Sequence, residues 1–141
     1  MTYLPKNLPF PNPSLDAEEF WRHCNQHRLM FQRCSFCAIM RHPPTPYCGN
    51  CHSNNFEWIQ APSSGSIFSY TIVYKASHKG IINSVPYNIV LVEFPKFSDV
   101  RLVSNVIDVE PNALAIGREV FLVWETGPAE QQIPRFKIKR E

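Results

Sequence analysis

Four cysteines at a repeated spacing constrain this chain more than any other feature. Cys34-Ser35-Phe36-Cys37 and Cys48-Gly49-Asn50-Cys51 form a C-x2-C, ten residues, C-x2-C array. Two residues between cysteines make a tight knuckle that aims both sulfurs at one centre, while nearby backbone N–H groups donate to the thiolates. Four such sulfurs complete a tetrahedral shell, the arrangement of structural Zn²⁺ sites. A closed shell leaves no position for substrate or water, so the array reads as a structural zinc ribbon that folds around its metal. The alternatives are a redox iron site or a reactive dithiol. His42, between the knuckles, and His52, directly after Cys51, are alternative ligands in a shell that four cysteines already fill.

Cellular context supports metal over disulfides. The opening stretch, MTYLPKNLPFPNPSLDAEEF, has no basic leader followed by an apolar run, and no later stretch approaches the ~18 apolar residues that span a bilayer. The expected location is the cytoplasm, where paired cysteines bind metal more often than they cross-link. The fifth cysteine, Cys24, reads as a small buried hydrophobe.

Around the array the chain changes character three times. Pro5, Pro9, Pro11 and Pro13 make the start an extended docking arm. A helix is expected over about 14–27, with Ser14 as cap and Asp16, Glu18 and Glu19 in its first turn, where carboxylates complement the dipole. Leu15, Phe20, Trp21 and Cys24 give it one apolar stripe. Leu29 to Gln32 reads as a short strand into Cys34, and 34–51 lacks periodicity, so a metal rather than a core should organise it. QAPSSG, from Gln60, marks a connection.

Beyond Ser66, β-branched and aromatic runs bounded by turn-formers predict strands at about 66–75, 87–94, 100–107, 118–125 and 135–139. Five strands suggest a small closed barrel. Phe68, Tyr70, Ile72 and Tyr74 are expected on one face, and the run Ile89 to Val92 suggests burial on both. A barrel partly covered from outside satisfies both, with the N-terminal helix as candidate cover. The divisions are therefore 1–28, arm and helix; 29–60, ribbon; and 61–141, barrel.

Charge disfavours a dedicated nucleic-acid binder. Residues 1–60 hold five basic and four acidic side chains, and 61–141 hold nine and eight. Neither part is the basic patch that phosphate backbones require, although Phe68, Tyr70 and Tyr74 would supply a stacking stripe. The local basic run Arg135, Lys137, Lys139 and Arg140 fits a solvated last strand. Of the recurring catalytic motifs, the nucleophile elbow, both glycine-rich phosphate loops and the H-E-x-x-H helix are all missing. Nothing here reads as an enzyme acting alone.

The ordered set Phe20-Trp21, Leu29, Gln32-Arg33-Cys34, Pro43-Pro44, Trp58, Ser64 to Thr71, Pro86-Tyr87, Ile116-Gly117 and Pro134-Arg135-Phe136 resembles one family over nearly the whole chain. It joins a rubredoxin-like zinc ribbon to an OB-fold domain and was first catalogued as domain of unknown function thirty-five. The chain departs from it at Ala38, where Gly is frequent after the second cysteine, and at Gly49, where Pro often follows the third. The resemblance implies a mainly β fold with an N-terminal helix, a zinc ribbon and a five-stranded OB barrel. It also implies a non-catalytic accessory subunit of a CoA-thioester enzyme. A thiolase-like partner comes first, an aldolase or hydratase complex is the alternative, and an OB-fold nucleic-acid module is the runner-up. On that reading Cys34, Cys37, Cys48 and Cys51 hold zinc, Phe20, Trp21 and Trp58 are interface candidates, and Arg135, Lys137 and Lys139 are weak candidates for CoA phosphates.

Overall fold

The computed structural model describes residues 5, 8, 9, 11, 16–97 and 100–140. Helix α1 runs Glu18–Asn25. Ribbon strands follow at Met30–Cys34 (β1), Met40–Arg41 (β2) and Phe56–Gln60 (β3). Barrel strands are Ser64–Val73 (β4), Tyr87–Glu93 (β5), Arg101–Ser104 (β6), Glu119–Thr126 (β7) and Gln132–Ile138 (β8).

The helix is shorter than expected. Ser14 and Leu15, its expected cap and first stripe residue, lie outside the described residues. Its C-terminus is set by His27, which adopts φ 57. In that left-handed turn His27 N donates to Cys24 O at 2.9 Å and Arg28 N to His23 O at 3.1 Å. The pair of bonds is a Schellman closure, made here without the usual glycine.

Two antiparallel sheets follow, β2-β1-β3 and β6-β5-β4-β7-β8. The larger one curls until its ends meet. Val106 and Phe136 form a parallel bridge, in which Ile107 N donates to Phe136 O at 2.8 Å and Phe136 N to Asn105 O at 3.1 Å. Asn88 stitches the same seam, giving its Nδ2 to Val106 O and accepting from Val106 N, both at 2.8 Å. The result is an OB-fold barrel with Ile67, Val90, Val92, Val106, Val120 and Phe136 inside. Gly65 permits the tightest approach, since a Cβ there would lie 2.5 Å from Glu93 O.

The expected stripe of aromatics is broken. Pairing slips between Ile67 and Ser69, leaving Phe68 at a bulge. Tyr70 then pairs with buried Val90 and Ile72 with buried Asn88, on the inner side, while Phe68 lies outside under the Arg101 guanidinium at 3.8 Å. Nor is β5 buried on both faces: Ile89 and Leu91 alternate with fully buried Val90 and Val92.

Ribbon, helix and barrel share one apolar cluster. Phe31 of β1 has ring centroids 5.6 Å from Phe94 and 6.0 Å from Phe97, and Phe94 lies 6.1 Å from Phe136. The metal therefore does not organise the ribbon alone. Helix α1 covers the barrel at β8, as expected of a cover, and the turn after the helix reaches β7. Asn25 Oδ1 accepts from Gln132 N at 3.0 Å, and His27 stacks on Trp124 at 5.3 Å with 4° between planes. No helix of the described residues is long and apolar enough to cross a membrane.

Candidate metal centre

Each knuckle is a one-turn loop closed by backbone hydrogen bonds that follow from the C-x2-C spacing. In the first, Ala38 N donates to Cys34 O and Cys34 N to Ile39 O, both at 2.9 Å. In the second, His52 N donates to Cys48 O and Cys48 N to Ser53 O, again at 2.9 Å. The residue after the second cysteine of each pair must turn left-handed for this to happen. Ala38 has φ 67 and His52 φ 64. The frequent family glycine at this place thus has a backbone reason, and this chain meets it without glycine in both knuckles.

The loops bring the four sulfurs of Cys34, Cys37, Cys48 and Cys51 within 4.8 Å of one another. Cys34 Sγ lies 3.5 Å from Cys51 Sγ, and Cys37 Sγ lies 3.6 Å from Cys48 Sγ. Disulfide sulfurs would be at about 2.05 Å. Four thiolates about 2.3 Å from a tetrahedral ion have edges of about 3.8 Å, so the cluster fits Zn²⁺.

Proton affinities show why a cation belongs there. The backbone N–H of Cys37 is the main cause lowering the Cys34 thiol to about 6, against the effect of desolvation. Cys48 is lowered too, chiefly by the N–H groups of Cys51 and Asn50. At Cys51 the Ser53 N–H lowers the thiol, but desolvation and the thiols of Cys34, Cys37 and Cys48 outweigh it and push it up to about 12. Four thiolates repel one another in this space, and a dication at their centre offsets that repulsion. A metal bound here is structural, because all four ligand positions belong to the protein.

Neither alternative histidine joins the cluster. His52 is exposed at its φ 64 turn. His42 packs between Phe20, at 4.8 Å, and Phe31, at 5.1 Å, and burial lowers its imidazole to about 4. Cys24 is fully buried, and desolvation raises its thiol to about 12, which leaves it inert.

The candidate cations on and just after β8 each lie near a carboxylate. Arg135 is 12% exposed, 3.6 Å from Glu125, and donates to Asn105 Oδ1 at 2.6 Å. Lys137 meets Asp108 at 3.2 Å and Lys139 meets Glu119 at 2.9 Å. Lys137 borders a cleft of about 630 Å³ with Arg118, Arg140 and Phe121.

Of the three aromatic interface candidates, Phe20 is 3% exposed and seats α1 in the core. Trp21 and Trp58 are half-buried. Trp21 lines a cleft of about 590 Å³ whose other walls include Pro5, Pro9 and Pro11 of the arm, with Val103 and Ile133 of the barrel. Those arm residues therefore lie against their own chain, and Pro13 is outside the described residues. Trp58 borders a smaller cleft of about 360 Å³, facing Asp16, Glu19, Tyr47 and Phe56. Sequence reasoning assigned Asp16 and Glu19 to the helix dipole and passed over Tyr47. Strand β3, which carries Trp58 and Phe56, also went unpredicted, because FEWIQ is too short for its alternation to stand out.

Comparison with known proteins agrees with this architecture. Residues 21–57 match the family described as the ChsH2 rubredoxin-like zinc ribbon domain, and residues 58–125 match the ChsH2 C-terminal OB-fold domain. A protein of Thermomonospora curvata named "Probable enoyl-CoA hydratase alpha subunit" is 33% identical over 129 residues, 90% of this chain and 39% of that protein. The chain thus spans about two fifths of that relative's length. A "DUF35 domain-containing scaffold protein" of Methanothermobacter thermautotrophicus is 26% identical over 106 residues, covering 74% of this chain and 77% of the relative. Among solved structures, a chain of the "Ltp2-ChsH2(DUF35) aldolase" superposes with TM-score 0.81 and 31% identity, covering 92% of this chain and 98% of that one. A DUF35-family protein of Sulfolobus solfataricus shares the fold, with TM-score 0.65 and 23% identity over 89% of this chain and 87% of that one.

Proposed function

Since this chain belongs to the ChsH2 family of zinc-ribbon and OB-fold proteins, also called DUF35 proteins, we propose that it is a non-catalytic accessory subunit of a CoA-thioester enzyme. The observation that carries this is the superposition, over 98% of its length, of a chain from an aldolase assembly. A hydratase subunit and a scaffold protein among the relatives point the same way. The catalytic partner on this reading is thiolase-like, cleaving or forming a C–C bond next to an acyl-CoA thioester. An aldolase or hydratase partner is the alternative that the relatives' names support.

In this role the zinc fixes the ribbon, α1 ties the ribbon to the barrel, and the half-buried Trp21 and Trp58 anchor the partner. Phe20 contributes by seating the helix. Of the cations considered for CoA phosphates, Lys137 and Lys139 reach solvent, whereas Arg135 is committed to Glu125 and Asn105.

Affinity capture of the zinc-loaded chain from its native host tests this. The expected result is one acyl-CoA enzyme in fixed stoichiometry, whose turnover rises when the chain is added, while the chain alone turns over no acyl-CoA. A monomer that binds no such enzyme and changes no such activity would overturn the proposal.

A further inference from the structure

The cleft beside Trp58 has chemistry that an apolar docking surface does not require. Its floor is the outer face of the ribbon sheet, where Gln32 pairs with Trp58 and Cys34 with Phe56, so Trp58 and Phe56 emerge on one side. Its walls are Asp16, two residues before α1, Glu19 in the first turn of the helix, and the loop that carries Tyr47. That loop is pinned by Thr45 N, which donates to Gln32 Oε1 at 2.9 Å, and by Thr45 Oγ1, which donates to Tyr47 O at 3.0 Å. Tyr47 is therefore 61% exposed on a fixed backbone. Two aromatic side chains, Trp58 and Tyr47, and two carboxylates, Asp16 and Glu19, lining one cleft are the groups that receive a cation.

The chain already uses this mode next door. Arg41, across the sheet from Gln32, holds its guanidinium 5.1 Å from the Phe56 ring centroid while donating to Thr45 O at 2.9 Å. Asp16 and Glu19 are both exposed, and Glu19 lies 3.8 Å from the His23 imidazole. Arg22 turns instead to Glu18, and Arg33 to Glu57.

We propose that this cleft receives an arginine side chain of the catalytic partner, stacked on Trp58 and Tyr47 and forked onto Asp16 and Glu19. Charge complementarity selects the occupant. A planar guanidinium presents a face to the aromatics and an edge of donors to the carboxylates, which an ammonium cannot do together. The space, about 360 Å³, takes one long side chain and excludes a folded element. For the identity of its partner the proposal rests on the accessory-subunit reading; the site can be tested without that partner.

The test is an NMR titration of the intact zinc-loaded protein with N-acetylarginine amide, against N-acetylcitrulline amide, which keeps the shape and removes the charge. Arginine amide should shift the Trp58 indole and the Tyr47 amide at millimolar concentrations, with citrulline amide at least about fivefold weaker. Tyr47→Ser, and Asp16→Asn with Glu19→Gln, should each weaken arginine about fivefold at unchanged zinc content. Equal binding of citrulline, shifts confined to other residues, or no shift would each overturn the site. Those results would leave the accessory-subunit reading standing, just as failed partner capture would leave a positive titration standing.

Discussion

Replacing Ala38 by glycine should strengthen the metal centre. Ala38 sits at φ 67, where its N–H closes the first knuckle onto Cys34 O at 2.9 Å, and His52 does the same at φ 64 in the second. A residue with a Cβ pays roughly 1–2 kcal/mol to stand in the left-handed region. Glycine removes that strain but adds about 0.5–1 kcal/mol of unfolded-chain entropy. The net gain for Ala38→Gly is thus about 0.5–1 kcal/mol, and about twice that with His52→Gly. Because knuckle geometry and metal binding form together, the gain should appear in zinc affinity as about two- to fivefold per knuckle. Gly49 is the internal control. It is not among the residues at positive φ, and a Cβ there meets nothing within 4 Å, so Gly49→Ala should be neutral or slightly stabilising. The assays are urea unfolding of the zinc-loaded protein and competition for zinc against a chelator of known affinity. Loss of stability or zinc affinity in Ala38→Gly would refute the argument, because the strain it assigns to the knuckle would not exist.

Three further outcomes follow from the packing. His42 is neutral between Phe20 and Phe31, with its imidazole lowered from 6.5 to about 4 by burial. Between those values the unfolded chain binds the extra proton, so stability is full above pH 6.5 and falls as pH drops toward 4. The fall is at most about 3 kcal/mol, and pH-dependent unfolding of His42→Leu should lack that slope. Arg135→Met leaves the Glu125 carboxylate, 8% exposed, without this cation and Asn105 without its donor, and should cost about 3 kcal/mol by urea unfolding. Gly65→Ala would force a Cβ against Glu93 O at 2.5 Å and Val92 Cγ1 at 2.9 Å, costing about 2 kcal/mol in thermal unfolding.

Features that depend on neighbours in the chain were legible before the fold was known. The spacing of Cys34, Cys37, Cys48 and Cys51 named the metal centre because a knuckle is a local object. The β-branched runs located the five barrel strands to within a few residues because strand propensity is local too. Strand β3 escaped because its stability comes from pairing with β1, from Met30↔Gln60 to Cys34↔Phe56, and not from its own five residues.

What tertiary structure alone decided were the relations across long separations. Alternation placed Phe68, Tyr70 and Ile72 together, but one bulge reversed the phase, because a single extra residue moves every later side chain to the opposite face. Arg135 looked like its neighbours Lys137 and Lys139 until folding set it against Glu125, ten residues away, and Asn105, thirty residues away. Likewise Asp16, Glu19, Tyr47 and Trp58 share no motif. They meet because α1 and the ribbon fold onto one apolar cluster, and burial of that cluster brings them to one cleft. The sequence determined the metal centre, the barrel strands and the family, each written in short-range spacing. The tertiary structure decided which surfaces remain available, because exposure is set by packing between segments far apart in the chain.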